Sequence, residues 1–167
     1  MFTGKYYKTT WHLALLCGLF CTTLTSYADA PEDYDFTEYD VGIQRAKQSG
    51  KKVFLYFGRY GCGYCDKTNK ESFSDATIKQ YYSSNYELVY VDAEGGNRLT
   101  LPSGEVISEQ QFGARLKTLV TPYFLFLEPD GTPILKVPGF KTKADLLKLH
   151  KFIHEGHYKT TAFNNFK

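Results

Sequence analysis

Cysteine occurs four times in 167 residues, methionine and tryptophan once each, and proline six times. Four cysteines are too few for the disulfide framework that staples small exported domains. No second pair accompanies Cys62 and Cys65 in the body of the chain, which argues against a complete structural zinc site. Neither sign of charge dominates: 20 Lys and Arg face 18 Asp and Glu, a formal net charge of +2. With no basic stretch above that background, nothing points to nucleic acid. No apolar run reaches the ~20 residues that a comfortable membrane span needs. Internal repeats and low-complexity segments are also missing.

An apolar run does occur from Leu13 to Leu24, behind Lys5 and Lys8 and with no acid in residues 1–28. Ser26-Tyr27-Ala28 follows, with small residues at the −3 and −1 positions of a cleavage site. That is the layout of a secretory signal peptide, and it predicts export to the periplasm with cleavage after Ala28. The alternative is an uncleaved N-terminal anchor. Cleavage would remove Cys17 and Cys21, and the residues before each of them do not form a lipoprotein box. The mature chain then keeps Cys62 and Cys65 alone, loses two lysines, and carries a formal charge near zero. Its length suits one domain with an ordinary core. The aromatic share of 17% allows that core to be dense.

Asp29 to Asp35 reads as an acidic, solvated lead-in, residues 36–157 as the folded domain, and residues 158–167 as a polar, frayed tail. A helix is expected from Thr37 to Ser49, with Tyr39, Ile43 and Ala46 on one face and Gly50 as its stop. Val53 to Phe57 is β-branched and aromatic, as a buried strand requires. After the helix that carries the cysteines, Ser74 or Asp75 can cap a second one bearing Ile78, Tyr81 and Tyr82. Tyr86 to Asp92 reads as a strand parallel to the first. A small hairpin follows over Arg98 to Ile107, then a capping box at Ser108 and Gln111 opens a helix with Phe112 and Leu116. Tyr123 to Leu127 and Ile134 to Val137 pair across a Glu128-Pro129-Asp130-Gly131 turn. Thr142 and Asp145 cap a last helix, with Leu146, Leu149 and Ile153 on one face. The order predicts an α/β fold: a central mixed sheet flanked by helices on both faces.

Cys62-Gly63-Tyr64-Cys65 stands directly behind the first core strand. A C-x-x-C pair at a strand-to-helix turn reads as a redox pair. No proline interrupts Tyr64 to Phe73. If a helix starts at the first cysteine, its unpaired N–H groups and dipole face the Cys62 sulfur, worth up to ~2 kcal/mol. Both favour thiolate, the reactive species. A disulfide closing so short a loop removes little chain entropy, which weighs against a purely structural bridge. Metal binding is the competing class, since C-x-x-C also suits Cu(I) or half of a zinc site. His150, His154 and His157, at i, i+4 and i+7, are read as a solvated helix end, with a separate metal site as the alternative.

The element order resembles the thioredoxin fold, together with Cys62/Cys65 after the first core strand, Thr121-Pro122 before the next-to-last strand, and Pro138-Gly139 after the last. The resemblance covers about Phe36 to Glu155. It is narrower toward exported bacterial thioredoxin-like proteins, including SoxW-type proteins and the catalytic domain of Dsb-type disulfide isomerases. The insert between Asp92 and Pro122, the Gly63-Tyr64 dipeptide and Thr121 before the proline favour that branch. The resemblance implies that Thr121-Pro122 is cis and lies against the cysteines, and that the Thr121 backbone pairs with an extended substrate. Gly63 and Tyr64 would line the same surface. Cys62 would be the exposed attacking sulfur and Cys65 the protected resolving one, exchanging disulfides with cysteine-containing proteins. No cofactor beyond the pair is implied. A membrane redox partner would recharge it, and a monomer is expected.

A reductase ranks above an isomerase because isomerases of this branch dimerise through an additional N-terminal domain; net oxidant ranks third. Two departures stand out. Tyr56 occupies the place of the buried aspartate of cytosolic thioredoxins, and Leu88 that of its lysine partner. Losing both together avoids an unpaired buried charge. Gly61 stands where a tryptophan usually precedes the motif.

Overall fold

The computed structural model describes Met1 and residues 30–167. The predicted signal peptide, with its cleavage site and Cys17 and Cys21, otherwise lies outside the described residues. Strand β1 (Lys52–Gly58) is the centre of a four-stranded sheet in the order β2-β1-β5-β6. It runs parallel to β2 (Tyr86–Asp92) and antiparallel to β5 (Tyr123–Leu127), which pairs antiparallel with β6 (Pro133–Pro138).

Both faces of β1 are covered, and Val53 through Phe57 have no solvent exposure. The period of two along a strand divides them between two cores. Phe54 and Tyr56 join Phe124 and Phe126 on one face, under Phe73, Ile78, Tyr82, Leu146, Leu149 and Phe152. Val53, Leu55 and Phe57 point the other way, toward Tyr39, Ile43, Ala46, Leu99, Ile107 and Phe112. Burying each large apolar side chain contributes roughly 1.5–3 kcal/mol.

The helices start where the capping chemistry directs. Helix α1 spans Tyr39–Ser49, α2 Gly63–Thr68, α3 Ala76–Asn85, α4 Glu109–Leu116 and α5 Lys143–His154. The Asp75 carboxylate accepts from the N–H groups of Thr77 and Ile78. Both expected capping boxes are present, Ser108 with Gln111 and Thr142 with Asp145. Between β2 and α4, strands β3 (Arg98–Thr100) and β4 (Val106–Ser108) form the small hairpin.

Several details differ from the sequence reading. Helix α1 starts at Tyr39 rather than Thr37, because Thr37 instead pairs its backbone with β2 beside Val89. The helix after the cysteines ends at Thr68 and continues as a π-type turn over Asn69–Phe73. The lead-in is not simply solvated: Pro31 is buried, and Tyr34 donates its hydroxyl to the Phe73 carbonyl at 2.7 Å with its ring edge-on to Phe73. The tail is not frayed either. Tyr158, Phe163 and Phe166 pack on the first core, two of them against Phe152, and the Tyr158 hydroxyl reaches Glu128 at 2.6 Å. Three aromatics spaced among polar residues anchor a segment whose average composition hides them. Finally, the strand register sets Tyr90, not Leu88, across from Tyr56; Leu88 lies across from Phe54.

Candidate functional site

Strand β1 delivers the chain to the edge of the sheet at Gly58, and a short turn leads into α2. Gly61 holds φ 68°, a left-handed conformation that costs a side-chain-bearing residue energy. That turn makes Cys62 the N-cap of α2, with extended backbone. Its sulfur accepts a hydrogen bond from the Cys65 N–H at 3.1 Å, doing the work of the usual capping oxygen. Cys62 and Cys65 are joined as a disulfide.

The second element of the site is the loop before β5. Its Thr121-Pro122 peptide bond is cis, and the Pro122 carbonyl accepts from the Gly139 N–H at 2.8 Å. Thr121 Oγ1 lies 3.2 Å from Cys62 Sγ. A disulfide sulfur carries no hydrogen, so the threonine hydroxyl is the donor. Two donors from separate elements therefore converge on one sulfur.

A groove of about 390 Å³ runs past this sulfur. Cys62, Gly63, Tyr64 and Thr121 line it, so it brings four of the six sequence-nominated residues together. Cys65 has no exposure, and Pro122 is buried behind Thr121. Cys62 is itself only 5% exposed in the disulfide, less open than the resemblance implied. Sequence reasoning missed the far wall, Ala93 and Glu94, and the apolar rim, Leu119 and Val120. Leu119 is 89% exposed and Tyr64 66%. Two consecutive aliphatic residues directly before Thr-Pro, outside any strand, were the available signal. Arg59 and Glu94 face each other at 3.7 Å on the rim, an exposed pair of little energetic weight.

Tyr56 lies in the same packed cluster as the cysteines, fully buried, and donates its hydroxyl to Asn69 Oδ1 at 3.1 Å. Its ring stands edge-on to Tyr90. That contact joins a phenol and an amide, neither of them ionic. Behind the far wall, Glu109 is buried at the start of α4. Its Oε1 accepts from the Asp92 N–H at 3.3 Å, while Oε2 has no partner among the described residues. Burial first, then the nearby Asp92 and Glu38 charges, raise its pKa above the ordinary carboxylate value; the backbone N–H groups of Asp92 and Asn97 act against them.

The three histidines do not form one cluster. His157 pairs with Glu155 at 2.9 Å and packs on Phe166. His150 is buried and stacked between Tyr81 and His154, and burial lowers its pKa to about 4.

The thioredoxin-like domain family matches residues 39–154. The chain belongs to that family. A comparison with curated proteins finds no match. Among solved structures, a thioredoxin-fold protein from Helicobacter pylori is similar at 21% identity, over 71% of this chain and 78% of that one, with a TM-score of 0.60. A thioredoxin from Thermus thermophilus shares 22% identity over 77% of this chain and 98% of its own, TM-score 0.58. A DsbH oxidoreductase covers 83% of this chain and 94% of its own at 17% identity, TM-score 0.56. At these identities the likeness establishes a shared fold, the mixed sheet with flanking helices that the element order predicts.

Proposed function

We propose that this thioredoxin-like protein is a thiol–disulfide oxidoreductase that works on cysteine-containing proteins after export to the periplasm, and that it acts as a reductase. The observation that carries the oxidoreductase reading is the convergence of the Cys65 N–H and the Thr121 hydroxyl on Cys62 Sγ; the reductase direction follows from the ranking within the family branch. Once the disulfide opens, both donors stabilise negative charge on that sulfur and favour the thiolate.

In the reducing direction, the Cys62 thiolate attacks one sulfur of a substrate disulfide. A mixed disulfide forms and the other substrate sulfur leaves as a thiolate. Cys65 then gives up its proton and attacks Cys62 Sγ, so the second substrate sulfur leaves and the Cys62–Cys65 bond closes. Two electrons pass to the substrate, and a membrane donor returns them. Tyr64 and the Thr121 backbone hold the substrate segment along the groove. Isomerase or net oxidant is the same chemistry at a different potential.

The test is a redox titration against glutathione, with Cys62→Ser and Cys65→Ser variants. A potential near that of thioredoxin, about −270 mV, is expected, with mixed disulfides trapped by Cys65→Ser. A potential tens of millivolts or more above that overturns the reductase assignment in favour of isomerase or oxidant. Failure of both variants to trap substrate, together with tight Cu(I) binding, identifies the pair as a metal carrier.

A further inference from the structure

Away from the disulfide, helices α3 and α5 face each other across a groove. This groove of about 560 Å³ is lined by Gln80, Ser84 and Asn85 on one side and by His150, Lys151 and His154 on the other. We propose that His150 and His154 form a two-histidine site for a divalent transition-metal ion such as Zn2+, Ni2+ or Cu2+. They occupy successive turns of α5 at i and i+4, so both side chains leave the helix on one face.

The two rings are close enough to share an ion once one of them turns. Two imidazoles bound to one ion at metal–nitrogen distances of ~2.0–2.1 Å have centroids roughly 4.5–5 Å apart. Here the centroids are 5.0 Å apart. The planes differ by only 17°, so the exposed His154 ring must rotate for its nitrogen to meet the ion; it makes no hydrogen bond among the described residues.

His150 is held in place as a metal-binding histidine usually is. Its Nδ1 lies 3.2 Å from the Tyr86 hydroxyl, and Tyr81 stacks on it at 4.7 Å with an interplanar angle of 16°. With the proton on Nδ1 and the tyrosine oxygen accepting it, Nε2 is the atom available to an ion and the tyrosine is the orienting partner. Asn85 spends its Nδ2 on the Tyr81 carbonyl at 2.8 Å, which leaves its Oδ1 as an oxygen donor on the opposite wall. Lys151 on the groove wall opposes a cation and Glu155 offsets it. No third His, Cys, Asp or Glu completes a cluster among the described residues. Water therefore fills the remaining positions, and the site is exchangeable rather than structural. Imidazole donors select Zn, Ni and Cu over Mg or Ca.

Zn2+ titration of the full chain by calorimetry tests this, with the Cys62–Cys65 disulfide intact and any remaining thiol blocked. One ion per chain is expected. His154→Ala should weaken binding at least tenfold, and His157→Ala should leave it unchanged. Ni2+ added to the unaltered protein should broaden the ring resonances of His150 and His154 together, a readout that does not depend on any variant folding. Equal affinity in His154→Ala, no Zn2+ binding at all, or Ni2+ broadening centred on other histidines overturns the site.

Discussion

Valine has nearly the outline of threonine but lacks its hydroxyl, so Thr121→Val isolates one of the two donors on Cys62 Sγ. A hydrogen bond to a charged group is worth about 1.5–3 kcal/mol. The Cys62 thiol in Thr121→Val should therefore titrate at higher pH, and its alkylation at pH 7 should slow by about tenfold. The measurement is the pH profile of alkylation of the reduced protein; an unshifted profile removes Thr121 from the mechanism. A second residue-scale prediction concerns Gly95. A Cβ built there collides with Glu109 Oε2, so Gly95→Ala must displace a buried carboxyl. It should cost roughly 1–3 kcal/mol in urea unfolding, and pairing it with Glu109→Ala should recover part of that loss. Glu109 also gives a pH dependence. Its folded pKa is raised, so the folded state favours the protonated form, and holding the charge at neutral pH opposes folding. Glu109→Gln should thus stabilise the protein at pH 7. The gain should shrink as pH falls through the raised folded value, because the native carboxyl then becomes neutral as well. The cysteines, Tyr64 and Thr121 could be read from the sequence because spacing and neighbouring glycines or proline mark them. Glu109 could not, since an acid in the first turn of a helix is ordinarily solvated.

At the scale of elements, caps and turns were the most readable features: Asp75, both capping boxes and the Glu128–Gly131 turn define their ends through local hydrogen bonds. Register was less so. Strand periodicity puts Leu88 and Tyr90 on the same face, so only the pairing itself decides which of them neighbours Tyr56. The C-terminal segment was misread because its aromatics act through contacts distant in sequence. Replacing both Phe163 and Phe166 by alanine should strip cover from Phe152. A loss of roughly 1–3 kcal/mol is expected for these half-buried rings, measured as a shift in the urea midpoint. A frayed tail would give no shift.

For the molecule as a whole, redox state and folding stability are linked. A dithiol–disulfide pair is reducing when its oxidised form is the more stable one, and a strong oxidant when its reduced form is. The reductase reading therefore predicts a higher urea midpoint for the oxidised protein than for the reduced one. The opposite order would place the protein among oxidants, independently of any substrate. The overall architecture was open to sequence reading because strands, helices and turn signals agreed along the chain. The histidine groove was not, since it needs α3 and α5 side by side and the Tyr81 and Tyr86 rings around His150.

The tyrosine and asparagine beside the cysteines have one more effect, on proton coupling. Phenol and amide keep a single protonation state across the physiological range. Nothing in the Tyr56–Asn69 contact then adds a bend to the dependence of the redox potential on pH. Two electrons accompanied by two protons should give a straight line of about 59 mV per pH unit until Cys62 itself ionises.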